Sequence, residues 1–285
     1  MPVLGVLLSG KNDMRFLIYM IISMYFIVFS TNLYADNKLS DVLLASMNKQ
    51  LNISNLYAEE IKKGYLSDGN EYLTVTFTTA DDSEYNEKMR NEDSSYRERC
   101  AVFRLIKNQP KLMYKSLPIE NGGDRSKIDC AIKNKSVLIL RDNWSGSSHS
   151  SNVYKYNLRN NQLFLSGIDS YSVYSGRSDE ISDENYLESI DSYNLNTDTL
   201  IRSIKKGGNT REYETGNLPI LPFRLLKPYR YKEMKFSFKA IPKTNFTNFD
   251  EGWFWEQIQK QKNICGYINE DFKFETCKEF EEKYK

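Results

Sequence analysis

The chain has 285 residues, with 39 basic and 38 acidic side chains, so its formal net charge is +1. Proteins that bind nucleic acid take much of their affinity from basic side chains that neutralise phosphates, and this chain has no block of basic residues, so we expect no nucleic-acid partner. Its length allows one large β domain or two smaller domains.

The first 35 residues have the order of a secretory signal peptide. Arg15 precedes the apolar run 16–29 (FLIYMIISMYFIVF), and Ala35 supplies a small residue at the end of the segment. A signal peptide combines a basic start, about 7–15 apolar residues and a small residue at the cleavage site, whereas a spanning helix needs about 20 apolar residues. The sequence predicts a signal peptide over 1–35, with Met14 as a candidate start, and an uncleaved anchor is the alternative. We therefore expect a periplasmic or secreted protein that meets the membrane only through this segment.

Residues 36–64 are predicted to form a helical segment. Four apolar residues recur at a spacing of three or four, which places them on one helix face: Leu39, Val42, Leu43 and Met47. A second short helix is predicted over 56–63, ending at Gly64. The apolar face is expected to pack against a sheet, and binding to a partner is the alternative.

An antiparallel β domain is predicted over 65–217. From Tyr72 the period changes to two, and apolar residues alternate with threonines such as Thr74 and Thr76, which are expected to face water. Residues 81–99 are highly charged and predict an exposed loop or a short helix. Residues 136–141 (SVLILR) are the most apolar strand and are expected to be central.

Four cysteines follow the predicted signal peptide, at Cys100, Cys130, Cys265 and Cys277. Cysteines in an exported protein indicate disulfides. Three pairings are possible, and we favour the local one, Cys100–Cys130 with Cys265–Cys277. No C-x-x-C motif occurs and the single histidine is His149, so free thiols or a zinc site are weaker alternatives.

Two similar hairpins lie within the β domain. Residues 153–168 (VYKYNLRNNQLFLSGI) and 192–204 (SYNLNTDTLIRSI) each contain Tyr-Asn-Leu, a turn and a further leucine. On these residues, the region of about 135–206 resembles exported, Tyr-rich, β-sheet bacterial proteins of unknown function. The resemblance implies an exported sheet protein and transfers no catalytic residue.

Residues 218–285 form a proline-rich connection followed by a C-terminal strand and helix. Pro219, Pro222 and Pro228 predict an irregular connection, and 231–241 predict a strand. A helix is predicted to begin near Asp250, with the second disulfide stapling the tail.

The motifs that carry chemistry are sparse. His149 lies in a Ser-rich stretch, but the Gly-x-Ser-x-Gly elbow of a serine hydrolase is absent, so a loop is favoured over a catalytic Ser–His pair. Residues 179–184 are acidic, and a solvated surface is favoured over a calcium site because the spacing of a dedicated calcium loop is missing. We expect no cofactor and no metal.

Aromatic residues are the candidate binding residues. They cluster between 144 and 193, with polar tips that suit both sheet packing and recognition. The candidates are Trp144, Tyr154, Tyr156, Tyr171, Tyr174 and Tyr193. Packing within the sheet is the favoured interpretation, and a surface that binds a protein or a glycan is the alternative.

Together these features predict an α+β, mostly β fold: an antiparallel sheet of seven or more strands over 72–206, an N-terminal helical segment and a disulfide-stapled C-terminal helix. The expected function is non-enzymatic binding in the bacterial envelope, as an inhibitor or immunity-type protein acting on another envelope protein, a wall-active enzyme or a toxin. The alternatives are a carbohydrate- or wall-binding module and an envelope hydrolase.

Overall fold

The structure is a computed structural model that describes residues 41–53, 61–90, 96–121, 127–145, 148–175, 186–206, 232–268 and 274–283. The predicted signal peptide, the acidic stretch 179–184 and the proline-rich connection 218–231 lie outside the described residues.

The N-terminal half of the described chain forms a five-stranded antiparallel sheet. Its strands run in the order β1-β2-β3-β4, and β5 pairs with another part of β3. The strands are β1 (Lys62–Tyr65), β2 (Glu71–Phe77), β3 (Tyr96–Ile106), β4 (Gln109–Lys115) and β5 (Ile119–Asn121). Two helices accompany this sheet, α1 (41–51) and α2 (Ala80–Arg90).

Helix α1 packs on one face of the five-stranded sheet. Met47 and Leu51 are buried in one cluster with side chains of β2 and β3, including Val75 and Phe103. The predicted packing of this helix against a sheet is therefore confirmed. Val42 is 66% exposed, so the apolar face is shorter than the spacing predicted.

Residues 56–60 of the second predicted helix lie outside the described residues, and its predicted end at Gly64 is wrong because Lys62–Tyr65 is strand β1, paired with β2. A Cβ atom on Gly64 would lie 2.7 Å from the Cβ of Ile132, in strand β6 (Lys127–Lys133) of a second sheet. Glycine thus permits a close approach of the two sheets, a long-range contact that helical spacing does not report.

Helix α2 is fixed by Asp82 in its first turn. Thr79 and Asp82 form reciprocal hydrogen bonds: the Thr79 amide and hydroxyl donate to Asp82, and the Asp82 amide donates to Thr79. From β3, Arg99 donates to both carboxylate oxygens of Asp82, at 2.7 and 3.0 Å. Burial alone would raise the pKa of Asp82, but the hydrogen bonds from Arg99 and Thr79 outweigh it and lower the pKa.

A seven-stranded antiparallel sheet forms the second layer, in the order β12-β11-β10-β9-β8-β7-β6. Its remaining strands are β7 (Ser136–Ser145), β8 (Ser148–Arg159), β9 (Gln162–Ser175), β10 (Tyr186–Asn194), β11 (Thr199–Lys206) and β12 (Lys232–Ser237). A two-residue turn joins β6 to β7 at Asn134-Lys135, and another joins β8 to β9 at Asn160-Asn161. All four turn residues have positive φ. This is the backbone of the type I′ turn, whose twist matches that of the flanking strands, and asparagine tolerates it.

The predicted single sheet is thus two sheets, and the reason lies in β2. Its residues from Tyr72 to Phe77 are all buried, because one face contacts α1 and the other contacts the seven-stranded sheet. Thr74, predicted to face water, is fully buried, and its hydroxyl donates to the carbonyl oxygen of Cys130.

A disulfide joins the two sheets through the core between them. Cys100 in β3 and Cys130 in β6 are both fully buried, with Cα atoms 6.0 Å apart. This confirms the first predicted pair. Neighbouring core residues from both sheets include Tyr72, Val102 and Ile139.

The C-terminal segment packs against another part of this face of the seven-stranded sheet. It contains α3 (Glu251–Gln259), β13 (Gly266–Ile268), β14 (Phe274–Thr276) and α4 (Cys277–Lys283). Asp250 caps α3 by accepting from the Trp253 amide, and Phe254 and Ile258 are buried. The second disulfide joins Cys265 to Cys277, with Cα atoms 5.3 Å apart, so the second predicted pair and the stapled C-terminal helix are confirmed.

Candidate binding site

The face of the seven-stranded sheet that meets α3 changes character along its strands, row by row. The first row is aromatic and aliphatic, and its members pair in register across β7 to β11: Ile139, Tyr154, Ile168, Tyr193 and Leu200. All five are buried. This row is the edge of the hydrophobic core.

Three of the predicted binding residues are core residues on this face. The ring of Tyr154 lies 5.0 Å from that of Phe249, and the ring of Tyr156 lies 5.0 Å from that of Phe246. Tyr193 meets the ring of Phe254 edge-on at 6.0 Å. Their burial, at 4% exposure or less, supports the packing interpretation, since a ligand has no access to these ring faces.

A row of polar residues follows two residues further along each strand. Its members also pair directly across five strands, and we call them the polar row: Arg141, Asn152, Ser170, Asp191 and Arg202. Asn152 and Arg202 are buried, at 8% and 7% exposure, and the other three members are half-buried. Polar groups at such depth require defined hydrogen bonds.

One end of the polar row is an ion pair. Arg202 donates from Nε and Nη2 to the two carboxylate oxygens of Asp191, in the fork geometry that arginine favours. Burial alone would lower the pKa of Arg202, but its hydrogen bond with Asp191 outweighs burial and raises that pKa. The Tyr193 hydroxyl donates to Asp191 at 3.2 Å. Burial, reinforced by Asp191, raises the pKa of Tyr193 and keeps it a neutral donor.

The other end of the polar row meets the first turn of α3 at Glu251. Oε1 of Glu251 accepts from Arg141 Nη1 at 2.6 Å, from Trp255 Nε1 at 3.2 Å and from Asn152 Nδ2 at 3.5 Å. A carboxylate in the first helical turn is also stabilised by the helix dipole. Burial, followed by the charge of Glu251, raises the pKa of Tyr154. Glu251 therefore anchors α3 to the sheet.

Three atoms at this end make no hydrogen bond although they are buried. They are Nε of Arg141, Oδ1 of Asn152 and Oδ1 of Asn143, the next inward residue of β7. Buried polar atoms in folded proteins are nearly always paired with protein or water. Nε of Arg141 is thus a donor, and the two Oδ1 atoms are acceptors, that the neighbouring side chains do not satisfy.

A third row continues the polar surface beyond the polar row, and we call it the serine row. Its members pair in register on β7 to β10: Asn143, Ser150, Ser172 and Ser189. Ser172 is exposed and the other three are half-buried. Small uncharged donors and acceptors on neighbouring strands give this end of the sheet a neutral, polar surface.

The other predicted binding residues lie on the same strands. Trp144 pairs with His149 between β7 and β8, and Tyr174 pairs with Ser148, on backbone register; the side chains of Trp144, His149 and Tyr174 are outside what the structure describes. Tyr171 is described and is buried, at 2% exposure.

The charged members of the site were not predicted from the sequence. Alternation along the strands could have found two of them, because every second residue of a strand lies on the same face. Arg141 follows Val137 and Ile139 on the inward face of β7, and Asp191 precedes Tyr193 on the inward face of β10. Glu251 has no such signal, because its partner on β7 is remote in sequence and only the fold brings the two together.

Within the described ranges, no group of three or more His, Cys, Asp or Glu side chains is arranged to hold a metal ion. None of the described helices is long and apolar enough to cross a membrane. Comparisons of the chain with protein-family models, with curated proteins and with solved structures each found no match.

Proposed function

We propose that this chain is an exported, non-enzymatic binding protein of the bacterial envelope, of the inhibitor or immunity type, and that the polar and serine rows contact its partner. The proposal rests on one observation. Along neighbouring strands of one sheet, a buried core row is followed by the polar row and then by the serine row, and the members of each row are paired in register. Ordered polar groups on a rigid sheet suit recognition, because little side-chain freedom is lost on binding.

The two carboxylates of the site support binding rather than turnover. Both oxygens of Asp191 accept from Arg202, and Glu251 accepts from Arg141 and Trp255. Each carboxylate is paired with an arginine, so the pair has no net charge and the carboxylate is a hydrogen-bond acceptor in a fixed position. The partner surface that matches it is polar and carries little net charge.

The two disulfides support the compartment. Disulfides persist in oxidising spaces and are rare where thiols are kept reduced. Cys100–Cys130 crosses between the sheets, so it also supports the rigidity of the sheet that carries the site. A periplasmic or secreted location follows as part of the proposal.

Substitution of Ser172 by tryptophan tests the proposal, since it adds bulk at the exposed member of the serine row. The matched control is Ser83→Trp. Ser83 is also exposed, but it lies on α2, which accompanies the five-stranded sheet. We expect the wild-type chain and the control to capture the same envelope protein and Ser172→Trp to lose it. Capture that is equal for all three, or turnover of a substrate by the purified chain alone, would contradict the proposal.

A glycan is the second candidate partner. The observation that favours it is the set of unsatisfied atoms on Arg141, Asn143 and Asn152, because sugar hydroxyls both donate and accept hydrogen bonds. Glycan-array binding that is lost in Asn143→Ala and kept in the control Ser83→Ala would favour this candidate over a protein partner.

A further inference from the structure

A second polar surface lies at the opposite end of the seven-stranded sheet, where the turns of β6–β7 and β8–β9 meet the turn between β1 and β2. It is a groove of about 350 Å³. The residues that matter for its chemistry are Ser67, Asn134, Lys135, Ser136, Asn157 and Arg159. It lies about 17 Å from the polar row along the strands, at about 3.4 Å per residue from Ser136 to Arg141.

The groove has a positive charge that its own lining does not neutralise. Lys135 and Arg159 are both exposed and no acidic residue lines the groove. Neither cation forms an ion pair with another residue in the described part of the chain. Two cations that converge on one concave surface repel each other, and an anion between them removes that repulsion.

The backbone and neighbouring side chains position these cations. Lys135 is the second residue of a type I′ turn, with φ of 63°, so its backbone direction is fixed. Arg159 donates from Nη2 to Oδ1 of Asn196 at 2.8 Å, which orients the guanidinium and leaves its other N–H groups available.

The neutral residues of the groove add donors. The Ser136 hydroxyl donates to Oδ1 of Asn157 at 2.7 Å, which engages the acceptor oxygen of that amide. The amide nitrogen of Asn157 is then the group that a ligand meets as a donor. Asn134, exposed in the same turn, carries a second side-chain amide.

We propose that this groove binds a phosphoryl group. A guanidinium matches phosphate oxygens with two parallel hydrogen bonds, and a lysine adds a mobile point charge. The volume lies within the range of about 300–1,000 Å³ that holds organic ligands, so it accommodates the group that carries the phosphate as well as the phosphate itself. The source is free phosphate esters or a phosphate-containing envelope polymer. The proposal is independent of the polar row.

The test is calorimetric titration of the disulfide-bonded protein with inorganic phosphate and, separately, with a poly(glycerol phosphate) chain. Lys135→Asn keeps a residue that tolerates positive φ, and Arg159→Gln removes the charge but keeps a polar side chain. Lys49→Gln on α1 removes an exposed cation elsewhere and is the matched control.

We expect binding by the wild type and the control, at least tenfold weaker binding by each groove variant, and none by the double variant. Arg159→Lys restores the charge without the fork and should bind with intermediate affinity. Tighter binding of the polymer than of phosphate identifies a polymer as the source, and equal binding identifies a free ester. Equal affinity of the wild type and the double variant, or no binding of either probe, would overturn the proposal, and neither result bears on capture of a partner by the serine row.

Discussion

The two disulfides should contribute unequally to stability, and the structure gives the size of the difference. Cys100–Cys130 closes a loop of 30 residues and Cys265–Cys277 closes one of 12. By loop-closure entropy these are worth about 3.6 and about 2.8 kcal/mol at 25 °C. The first pair is fully buried between the sheets, so replacing it by alanine also leaves a cavity that costs about 1 kcal/mol or more.

The assay is urea unfolding of the oxidised wild type and of two double variants, Cys100→Ala with Cys130→Ala and Cys265→Ala with Cys277→Ala. We expect the free energy of unfolding to fall by about 4–6 kcal/mol in the first variant and by about 2–3 kcal/mol in the second. The second variant is the matched control for loss of a crosslink outside the core between the sheets. Equal losses, or a larger loss in the second variant, would refute the argument that the first disulfide couples the two layers.

Three further predictions concern single side chains. Asp82→Asn should lower the free energy of unfolding by about 2–4 kcal/mol because it leaves Arg99 without its carboxylate. Folding lowers the pKa of Asp82. Its contribution to the free energy of unfolding is therefore fully present above its unfolded pKa of 3.8 and is lost as the pH falls through its pKa in the folded protein. Measurements of unfolding free energy at decreasing pH should show this loss in the wild type and not in Asp82→Asn. Gln50→Ala should cost about 1–2 kcal/mol in urea unfolding, because the Gln50 side chain donates to the carbonyl of Pro110 and accepts from the amide of Leu112 on the edge strand β4; no measurable cost would contradict this. Glu251→Gln should speed hydrogen exchange of the α3 amides by about tenfold while leaving exchange in β2 unchanged, and uniform acceleration would argue against a local anchor.

Local patterns predicted the parts of the fold that local physics decides. The alternation around Tyr156 and the Asn160-Asn161 turn predicted the β8–β9 hairpin, because a two-residue turn sets the register of the strands it joins. Asp250 was predicted to begin the C-terminal helix, and it caps α3. These features depend on residues that are close in sequence.

Long-range packing decided the rest, and the sequence pattern did not contain it. Thr74 has the polarity of a solvated position, yet it lies between two sheets because its hydroxyl finds a carbonyl acceptor on β6. Lys62–Tyr65 is a strand because β2 offers an edge to it. The polar row was missed for the same reason, since residues of five strands align only once the register of the whole sheet is known. The resemblance over about 135–206 stays a prediction.

The central claim, that an exported and disulfide-linked sheet presents the polar and serine rows to an envelope partner, is tested most directly by photo-crosslinking in living cells. A photoreactive amino acid at Ser172 is compared with the same group at Ser83, and free thiols are titrated in the same sample. We predict one envelope protein crosslinked through Ser172, none through Ser83, and no free thiol before reduction. Identical adducts at both positions, or recovery of the chain from the cytosol with four free thiols, would contradict the claim.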